Sequence, residues 1–533
     1  MLSRITLLCC ALLSALQMPA QIRSESIRAI VNDQKLYELS LKCADDVKQF
    51  YTLNNFQTCW LLADQKKSNL QFLNGYVQQS EWLGLRKTDY YPDLFQNTEY
   101  PALAPGNATD SLITEIKFTD GAICFFHDLL TGNKPEMLLY NGLNYSPSCS
   151  EIVPLLVEYL NQNRFGELLN DIELGDAIYL AIKKRMNFFQ EIMAEKNFAD
   201  AFITSQEIDS SNTQLITRLY QLGFIPASHP GLSQALLKQK IMAAQEFFNL
   251  PNDSALKSQL MHALNIPLAN RVSALSAALN AQRWLTYIKK KSPHIITANI
   301  PSASLMLSEN EKNILYSRII VGKRSTPTPT LLAQITQVII YPYWYVPYKI
   351  ATKELLPSIK ENIRFLEENN FQVLDKNGRI CDPSKINWQK LNRNNFPYTI
   401  RQSTGCDNSL GIIKLNLNSP YDVYLHDTPW KVLFKLNNRY FSHGCIRVEK
   451  AAEIARFVLK DNTSAIDTIE EKSCLKNQGP LVINASEKIP VIVLYHTAWT
   501  DSANQVHFYT DIYNKEQATT NKMNTGIGRI YNQ

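Results

Sequence analysis

The sequence predicts a multidomain protein in which an all-α N-terminal part precedes a mostly β domain of the α+β class, organised as a β-sandwich. The chain has 533 residues, too many for one hydrophobic core, so three or four domains are expected. Apolar residues recur at helical spacing through the first half, as in Ile178, Ile182 and Met186. From His294 onward, short β-rich runs separated by polar turns replace that spacing.

The composition indicates a globular protein and bears on which partners are expected. A hydrophobic content of 45% and a charged content of 19% are ordinary for a globular chain. The formal charge of +5 is small for this length, and no Lys/Arg stripe concentrates it. The sequence therefore gives no reason to expect nucleic acid as a partner, whereas a mildly basic protein tolerates an anionic polymer.

The first 20 residues are predicted to be a secretory signal peptide rather than part of the fold. Arg4 supplies a positive start, Ile5–Leu16 is an apolar run too short to span a bilayer comfortably, and Ala20 offers a small residue for cleavage. An uncleaved anchor is the alternative. No later stretch is long and apolar enough for a membrane span, so we expect an exported protein without one after cleavage.

Cysteines of an exported protein are expected to form disulfides. The sequence has ten, and two lie in the predicted signal peptide. The other eight are Cys43, Cys59, Cys124, Cys149, Cys381, Cys406, Cys445 and Cys474. Proximity along the chain suggests the pairs Cys43–Cys59 and Cys381–Cys406. No CxxC pair is present, so the sequence predicts no metal site.

The N-terminal part is predicted to hold two helical units. Residues 21–205 are a helical scaffold domain, since helical periodicity dominates there and no residues have catalytic spacing. Residues 211–268 predict three helices, the first of which stops at Gly223, a residue suited to the left-handed conformation that ends helices. An amphipathic connector helix is predicted over 269–291.

The C-terminal domain is predicted over 294–513, followed by a polar tail at 514–533. Tyr341–Pro347 is rich in aromatic and proline residues, and proline does not fit a central strand. Residues 354–405 combine helical segments with a long irregular stretch, so we predict a helical insertion able to form a lid. The domain is otherwise predicted to contain a helix at 449–459 and strands at 295–300, 304–307, 314–321, 337–340, 411–417, 423–425, 490–495 and 505–509.

The strongest chemical signal is the pair His426 and Cys445. A histidine that takes the thiol proton lets the thiolate attack a carbonyl carbon. Gly444 has no Cβ, so a substrate can approach the backbone closely, and the amides of Gly444 and Cys445 can donate to an oxyanion. A papain-like protease is disfavoured, because there the cysteine precedes the histidine.

Several motifs carry a resemblance to a known family. They are Asn299–Pro301 with Ile320–Gly322, Pro342–Pro347, Val423–Thr428 and Ser442–Arg447. Together they resemble the L,D-transpeptidases of bacterial cell-wall synthesis, which have a YkuD-type catalytic domain, and most of all the large multidomain periplasmic enzymes of Gram-negative bacteria. Residues 211–268 resemble a three-helix peptidoglycan-binding domain in degenerate form, with a plain three-helix spacer as the alternative.

The resemblance implies a role for each residue of the motif. Cys445 would be the nucleophile and His426 the general base, while a group at Asp427 would orient the imidazole. Catalytic roles are implied for Cys445, His426, His443 and Gly444. Substrate-binding roles are implied for Trp344, Tyr424, Ser442 and Arg447, of which the arginine would fix the active-site loop or meet a substrate carboxylate.

The resemblance also implies acyl transfer without a cofactor. The cysteine would attack a tetrapeptide stem, release D-Ala, and pass the acyl group from a thioester to the diamino acid of a second stem as a 3→3 cross-link. Carbapenems are expected to acylate Cys445. Peptidoglycan stem peptides and other cell-wall enzymes are the implied partners, and the periplasm is the implied location. An L,D-carboxypeptidase, a lipoprotein-to-peptidoglycan ligase and a catalytically inert wall-binding scaffold remain as alternatives.

Overall fold

The computed structural model of the chain describes residues 24–516, except for 62–63, 96–107, 134–138, 141–146, 210, 228–231, 461–463, 465 and 467–477. The predicted signal peptide and most of the predicted polar tail lie outside the described residues. Within the described ranges, no helix is both long and apolar enough to cross a membrane.

The first part of the structure is a group of helices around one apolar core, which confirms the predicted helical N-terminal part. These helices follow the apolar periodicity of the sequence, since Val47, Phe50 and Tyr51 of the third helix are all buried. In chain order they are α1 (24–32), α2 (Lys35–Glu38), α3 (Ala44–Leu53), α4 (Asp64–Gln78), α5 (Ala108–Thr131), α6 (Val153–Asn161) and α7 (Leu168–Ile172).

A second apolar core joins helices on both sides of the predicted boundary near residue 205. It packs Tyr179 from the helix before this boundary against Leu219 and Ile241 from the helices after it. As predicted, Gly223 has a positive φ, +80°, just beyond the end of a helix. The helices of this part are α8 (Ala177–Met193), α9 (Thr213–Gln221), α10 (Gln234–Phe247), α11 (Ser258–Leu264) and α12 (Leu268–Lys291).

The remaining elements are mostly strands, as predicted. Among the described residues the strands are β1 (Leu139–Tyr140), β2 (His294–Asn299), β3 (Ser304–Glu309), β4 (Lys312–Gly322), β5 (Leu331–Ile340), β6 (Trp344–Tyr345), β7 (Phe371–Leu374), β8 (Ile380–Cys381), β9 (Thr399–Gln402), β10 (Ile413–Leu417), β11 (Leu425–His426), β12 (Tyr440–Ser442), β13 (Ile446–Val448), β14 (Leu481–Asn484), β15 (Pro490–Leu494), β16 (Ala498–Thr500) and β17 (Val506–Phe508). The helices among them are α13 (Tyr348–Ile350), a π-helix (Ala351–Leu355), α14 (Leu356–Glu361), α15 (Arg364–Glu368) and α16 (Ala451–Leu459).

The main sheet has eleven strands and closes on itself. Hydrogen bonds connect its strands in the order β5-β10-β11-β13-β4-β3-β2-β15, and β15 pairs again with β5. Ile296 and Val491 belong to the core inside this closed sheet, whereas Ile295 and Ile492 pack against α12 on the outside. The predicted connector helix α12 is therefore a packed layer of the fold, because it covers one face of the sheet.

The expectation of an all-α N-terminal part is wrong at one place. Strand β1 lies between helices α5 and α6 and pairs in parallel with β5, with Leu139 opposite Leu331. A two-residue strand leaves no periodic signal in the sequence, and its pairing partner is far along the chain. The helical part therefore contributes one strand to the main sheet.

The predicted helical insertion contains a sheet as well as helices, so it is a small α/β unit. Strands β6, β9, β7 and β8 form a separate four-stranded sheet in that order. Val346, Leu356, Val373, Trp388 and Ile400 form its own apolar core. It begins with β6, ahead of the predicted start at residue 354. As expected for the proline-rich segment Tyr341–Pro347, β6 is an edge strand.

The last predicted strand does not complete the main sheet. Strands β16 and β17 form a separate hairpin, and this hairpin packs on the second helical core. The ring of Phe508 lies 5.3 Å from that of Phe247, and the Arg271 guanidinium lies 4.4 Å from the Phe508 ring centroid. A strand pattern predicts a strand but not the surface that it covers.

Both disulfides suggested by chain proximity are wrong. Cys43 and Cys381 are free thiols, whereas Cys406 is disulfide-bonded. The Sγ of Cys43 faces cysteines that are much farther along the chain than Cys59. Disulfide partners are set by the approach of their Cα atoms in the fold, which sequence separation does not determine.

Candidate active site

Parallel pairing of β11 and β13 places the predicted base beside the predicted nucleophile. Leu425 is opposite Ile446, and His426 is opposite Arg447. Cys445 directly precedes β13, and the Ile446 N–H donates to the Tyr424 carbonyl at 3.1 Å. Neighbouring strands of a sheet lie about 5 Å apart. The two residues therefore lie on adjacent strands, with His426 opposite the residue two positions after Cys445.

The loop that presents Cys445 is held by its own hydrogen bonds. The Ser442 hydroxyl donates to the Cys445 carbonyl at 2.6 Å and accepts from the Gly444 N–H at 3.1 Å. The Thr328 hydroxyl donates to the Gly444 carbonyl at 2.8 Å. Gly444 has a φ of +122°, which favours glycine at this position. These contacts fix the backbone on both sides of the thiol.

Two sequence predictions change because of this loop. Ser442 is only 3% exposed and its hydroxyl is used within the loop, so its predicted contact with substrate is wrong. The Gly444 N–H already has an acceptor, which leaves the Cys445 N–H as the amide of this pair that can meet an oxyanion.

His426 is a buried, neutral imidazole. Its Nδ1 lies 2.5 Å from the Asp427 carbonyl, and since a carbonyl can only accept, Nδ1 carries the proton and Nε2 the lone pair. Burial, and then the positive charge of Arg447, lower the pKa of His426 to about 3 from an ordinary 6.5. The carbonyls of Asp427 and Leu410 act in the opposite direction but are outweighed.

The backbone around His426 is itself fixed. The Asp427 carboxylate accepts from the Ile412 N–H at 3.2 Å and pairs with Lys431. Gly411 has a φ of +62° and sits so close to the Asp427 side chain that a Cβ there would overlap the carboxylate. The predicted orienting group at Asp427 is therefore the backbone carbonyl, while the side chain anchors the turn.

Cys445 is a half-buried thiol that is neutral at rest. Burial raises its pKa, while hydrogen bonds from Tyr424 and the positive charge of Lys414 act in the opposite direction. Its Sγ lies 3.6 Å from the Asp422 carbonyl. Among the described residues, no hydrogen bond joins Sγ to His426. Catalytic hydrogen bonds commonly tighten only when substrate binds, so this resting geometry is compatible with general-base catalysis.

Tyr424 and Lys414 stand next to the thiol. The Tyr424 hydroxyl hydrogen-bonds to both Cys445 and Trp344, and its ring meets the His426 ring edge-on at 5.6 Å. Lys414 is directly opposite His426 on β10, and its Nζ lies 4.1 Å from the Tyr424 ring centroid. Both groups favour a thiolate at Cys445, one by donation and the other by charge.

His443 faces the insertion. Its Nε2 lies 2.8 Å from the Glu354 carboxylate and 3.5 Å from the Lys323 ammonium nitrogen. Glu354 belongs to the π-helix, an irregularity often found at functional sites. The sequence motif placed His443 beside Cys445, and the structure shows that its side chain joins the motif to the insertion.

Arg447 is a cation of this site whose guanidinium can bind an anion. Its guanidinium lies 5.3 Å from the Trp430 ring centroid. Within the described ranges it donates to no protein acceptor, and its buried Nε has no partner. Since nothing in the loop accepts from it, contact with a substrate carboxylate is the better supported of its two predicted roles.

The family model for the L,D-transpeptidase catalytic domain (YkuD) matches residues 293–481, which contain every residue of this site. Residues 293–481 are thus similar to an L,D-transpeptidase catalytic domain. A second family model, the scaffold domain, matches residues 45–186 in the helical part. The first match begins one residue before β2 and includes the insertion.

Known proteins agree with this assignment over part of the chain. A protein of Haemophilus influenzae named "Putative L,D-transpeptidase" is 35% identical over 236 residues, 44% of this chain and 47% of the relative. The chain thus matches about half the length of that relative.

Solved structures similar to the chain have much lower identity. An L,D-transpeptidase from Mycobacterium smegmatis is 14% identical over 38% of this chain and 58% of its own, with a TM-score of 0.18. L,D-transpeptidase 3 from Mycobacterium tuberculosis, in complex with a faropenem-derived adduct, is 13% identical over 38% and 60%, with a TM-score of 0.20. At these values the likeness carries no argument about the activity of this chain.

Two residues of the candidate active site were missed in the sequence. Lys414 occupies a polar position of the alternating strand Ile413–Leu417, so the sequence pattern gives no signal that distinguishes it from a solvent-facing lysine. Glu354 gives no signal either, because it lies 89 residues from His443 and meets it only through the fold.

Proposed function

We propose that this protein is a cysteine-dependent L,D-transpeptidase that forms 3→3 cross-links between peptidoglycan stem peptides. The proposal rests on the imidazole of His426, which is neutral and held through Nδ1 by the Asp427 carbonyl on the strand beside Cys445. A neutral imidazole with a lone pair on Nε2 is the base that a neutral thiol requires.

The first step is acylation of the enzyme. His426 Nε2 takes the proton of Cys445 as the sulfur bonds to the carbonyl carbon of the third stem residue. The carbonyl oxygen becomes an oxyanion that the Cys445 N–H can receive, while Tyr424 and Lys414 favour the developing thiolate. The bond to D-Ala then breaks, and the leaving amine takes the proton from Nε2. A thioester remains on Cys445.

The second step transfers the acyl group. The side-chain amine of a second stem's diamino acid attacks the thioester carbon and gives a proton to His426 Nε2. The new C–N bond forms, the C–S bond breaks, and Nε2 returns the proton to sulfur. Water competes with the amine for the thioester carbon. The insertion, held by the contact between His443 and Glu354, would exclude this water.

The substrate is proposed to bind between the insertion and the main sheet. Trp344 and Tyr424 would form one wall of the cleft, and the Arg447 guanidinium would bind a stem carboxylate. Residues 1–20 as a signal peptide and 211–268 as a peptidoglycan-binding-like unit complete a periplasmic enzyme that acts on the wall, together with other cell-wall enzymes as partners.

The proposal is tested by incubating the full chain with disaccharide-tetrapeptide and analysing the products by mass spectrometry. We expect a dimer that has lost one D-Ala, formed by the wild type and by Cys381→Ala, a free-thiol control in the insertion, but not by Cys445→Ala. Tripeptide alone would identify an L,D-carboxypeptidase. No product in any sample would point to a lipoprotein acceptor or to an inert wall-binding scaffold.

A further inference from the structure

Three thiols meet in the helical part, outside the core that holds the acyl-transfer site. Cys43 immediately precedes α3, Cys124 lies in α5, and Cys149 lies shortly before α6. The Cys43 Sγ is 2.8 Å from that of Cys149 and 3.3 Å from that of Cys124, although these residues are 106 and 81 positions away in the chain. The fold therefore brings three separate segments together at sulfur.

The spacing of these sulfurs fits a disulfide better than a bound metal. Thiolates around one zinc ion, each bonded at about 2.3 Å, lie about 3.8 Å apart in tetrahedral geometry. Both distances from Cys43 are shorter than that. The nearby Asp120 carboxylate is already engaged, since it accepts from the Cys43 N–H at 2.8 Å, the Lys42 N–H at 3.1 Å and the Tyr91 hydroxyl at 2.5 Å.

The protonation of the thiols points the same way. The hydrogen bond to Cys124 and burial raise the pKa of Cys43, while the hydrogen bond to Cys149 acts in the opposite direction. The hydrogen bond to Cys43, followed by burial, raises the pKa of Cys149. Thiols held in mutual contact are the reduced form of a disulfide pair.

We propose that Cys43 and Cys149 form a disulfide and that Cys124 is a third thiol able to exchange into it. The oxidant is a disulfide, either of a thiol oxidoreductase or of glutathione. One thiolate attacks the oxidant's disulfide, and the second then attacks the mixed disulfide. Two protons and two electrons leave the pair, and the oxidant departs as two thiols.

The exchange needs no further oxidant. The Cys124 thiolate attacks the Sγ of Cys43, the Cys43–Cys149 bond breaks, and Cys149 leaves as a thiolate that takes up a proton. Cys43 is the shared member because it contacts both other sulfurs. Either disulfide ties the start of α3 to a distant segment, so each restricts the unfolded chain and raises Tm by about 5 to 10 °C.

The test is a disulfide map of the full chain. Protein equilibrated with glutathione disulfide is blocked with N-ethylmaleimide, digested without reductant and analysed by mass spectrometry. We expect a peptide linking Cys43 to Cys149 in the wild type and in Cys124→Ser. In Cys149→Ser the link should move to Cys124. Cys59→Ser, which removes another buried cysteine of the helical part, should leave the map unchanged.

Two results would overturn the proposal. One is full alkylation of all three thiols after oxidation. The other is protection of all three without a linked peptide, accompanied by a metal ion in elemental analysis, which would identify a metal site instead. A thermal scan with and without reductant adds a second measurement, since reduction should lower the Tm of the wild type by more than that of Cys43→Ser, which keeps only the disulfide of Cys406.

Discussion

At the residue scale, the nucleophile and its base meet as two neutral groups. Burial lowers the pKa of His426 and raises that of Cys445, so both shifts disfavour a resting thiolate–imidazolium pair. The proton must then move during the attack on the substrate. The Tyr424 hydroxyl and the Lys414 charge act on this step, because each stabilises negative charge on sulfur as it forms.

This charge state predicts the pH dependence of acylation by a carbapenem. The pKa of His426, about 3, lies below the working range, and that of Cys445 is raised above its ordinary 9.0. The neutral pair is therefore constant between about pH 5 and pH 8, where the acylation rate should be flat. It should rise only at higher pH, where the thiolate forms. Intact-mass kinetics measure this, and a break near pH 6.5 would show that His426 titrates normally.

Lys414 is predicted to stabilise the Cys445 thiolate through its positive charge. Removing its ammonium in Lys414→Met removes a favourable interaction with the thiolate, so alkylation of Cys445 by iodoacetamide at pH 8 should slow by roughly three- to tenfold. Lys376→Met, an exposed lysine of the insertion, is the matched control and should react like the wild type. Equal rates in Lys414→Met and the control would remove Lys414 from the mechanism.

At the element scale, features that depend on neighbouring residues in the chain were predicted from the sequence. Features that depend on pairing between distant strands were missed. His426 and Cys445 stood out because a local motif surrounds them. Lys414 was hidden because the β10–β11 register, not its own neighbours, sets it opposite His426. The sheet of the insertion was missed for the same reason, since β7 has only four residues and acquires its order by pairing with β9.

Gly411 is predicted to support the turn that holds His426. An alanine there adopts a strained φ and its Cβ overlaps the Asp427 carboxylate. Gly411→Ala should therefore cost more than about 2 kcal/mol in urea unfolding and slow carbapenem acylation at least tenfold. The matched control is Gly378→Ala, which has a φ of +76° but open space around its Cβ. It should cost about 1 kcal/mol and acylate normally, and equal effects of the two variants would contradict the steric argument.

The contact between His443 and Glu354 is predicted to hold the insertion over the thioester. The pair is partly exposed, so Glu354→Gln should cost only about 0.2–1 kcal/mol. Its effect should appear as a higher ratio of hydrolysed tripeptide to cross-linked dimer, because water reaches the thioester more easily. The same change in a His443→Gln background should add nothing. Asp382→Asn breaks another ion pair of the insertion and should leave the ratio unchanged.

At the scale of the whole molecule, the apolar cores do not follow the boundaries read from the sequence. Helix α8 shares a core with α9 and α10 across residue 205. Strand β1 joins the main sheet from the helical part, and the β16–β17 hairpin packs on the second helical core. Composition and periodicity identify the kind of element, but which surfaces cover one another depends on contacts between distant segments. The parts are therefore expected to resist unfolding together.

A substitution of Phe508 tests that expectation, because this residue of strand β17 packs in the second helical core. Its ring is 1% exposed and contacts the rings of Phe189 and Phe247. Phe508→Ala removes this packing and should lower the free energy of unfolding by about 3–5 kcal/mol in urea titration. Phe202→Ala, at a half-exposed phenylalanine, should change it by less than about 0.5 kcal/mol. Carbapenem acylation of the folded Phe508→Ala protein should persist, since the closed sheet around Cys445 has its own core. If the hairpin contributed nothing to the stability of the helical core, the two variants would have the same free energy of unfolding.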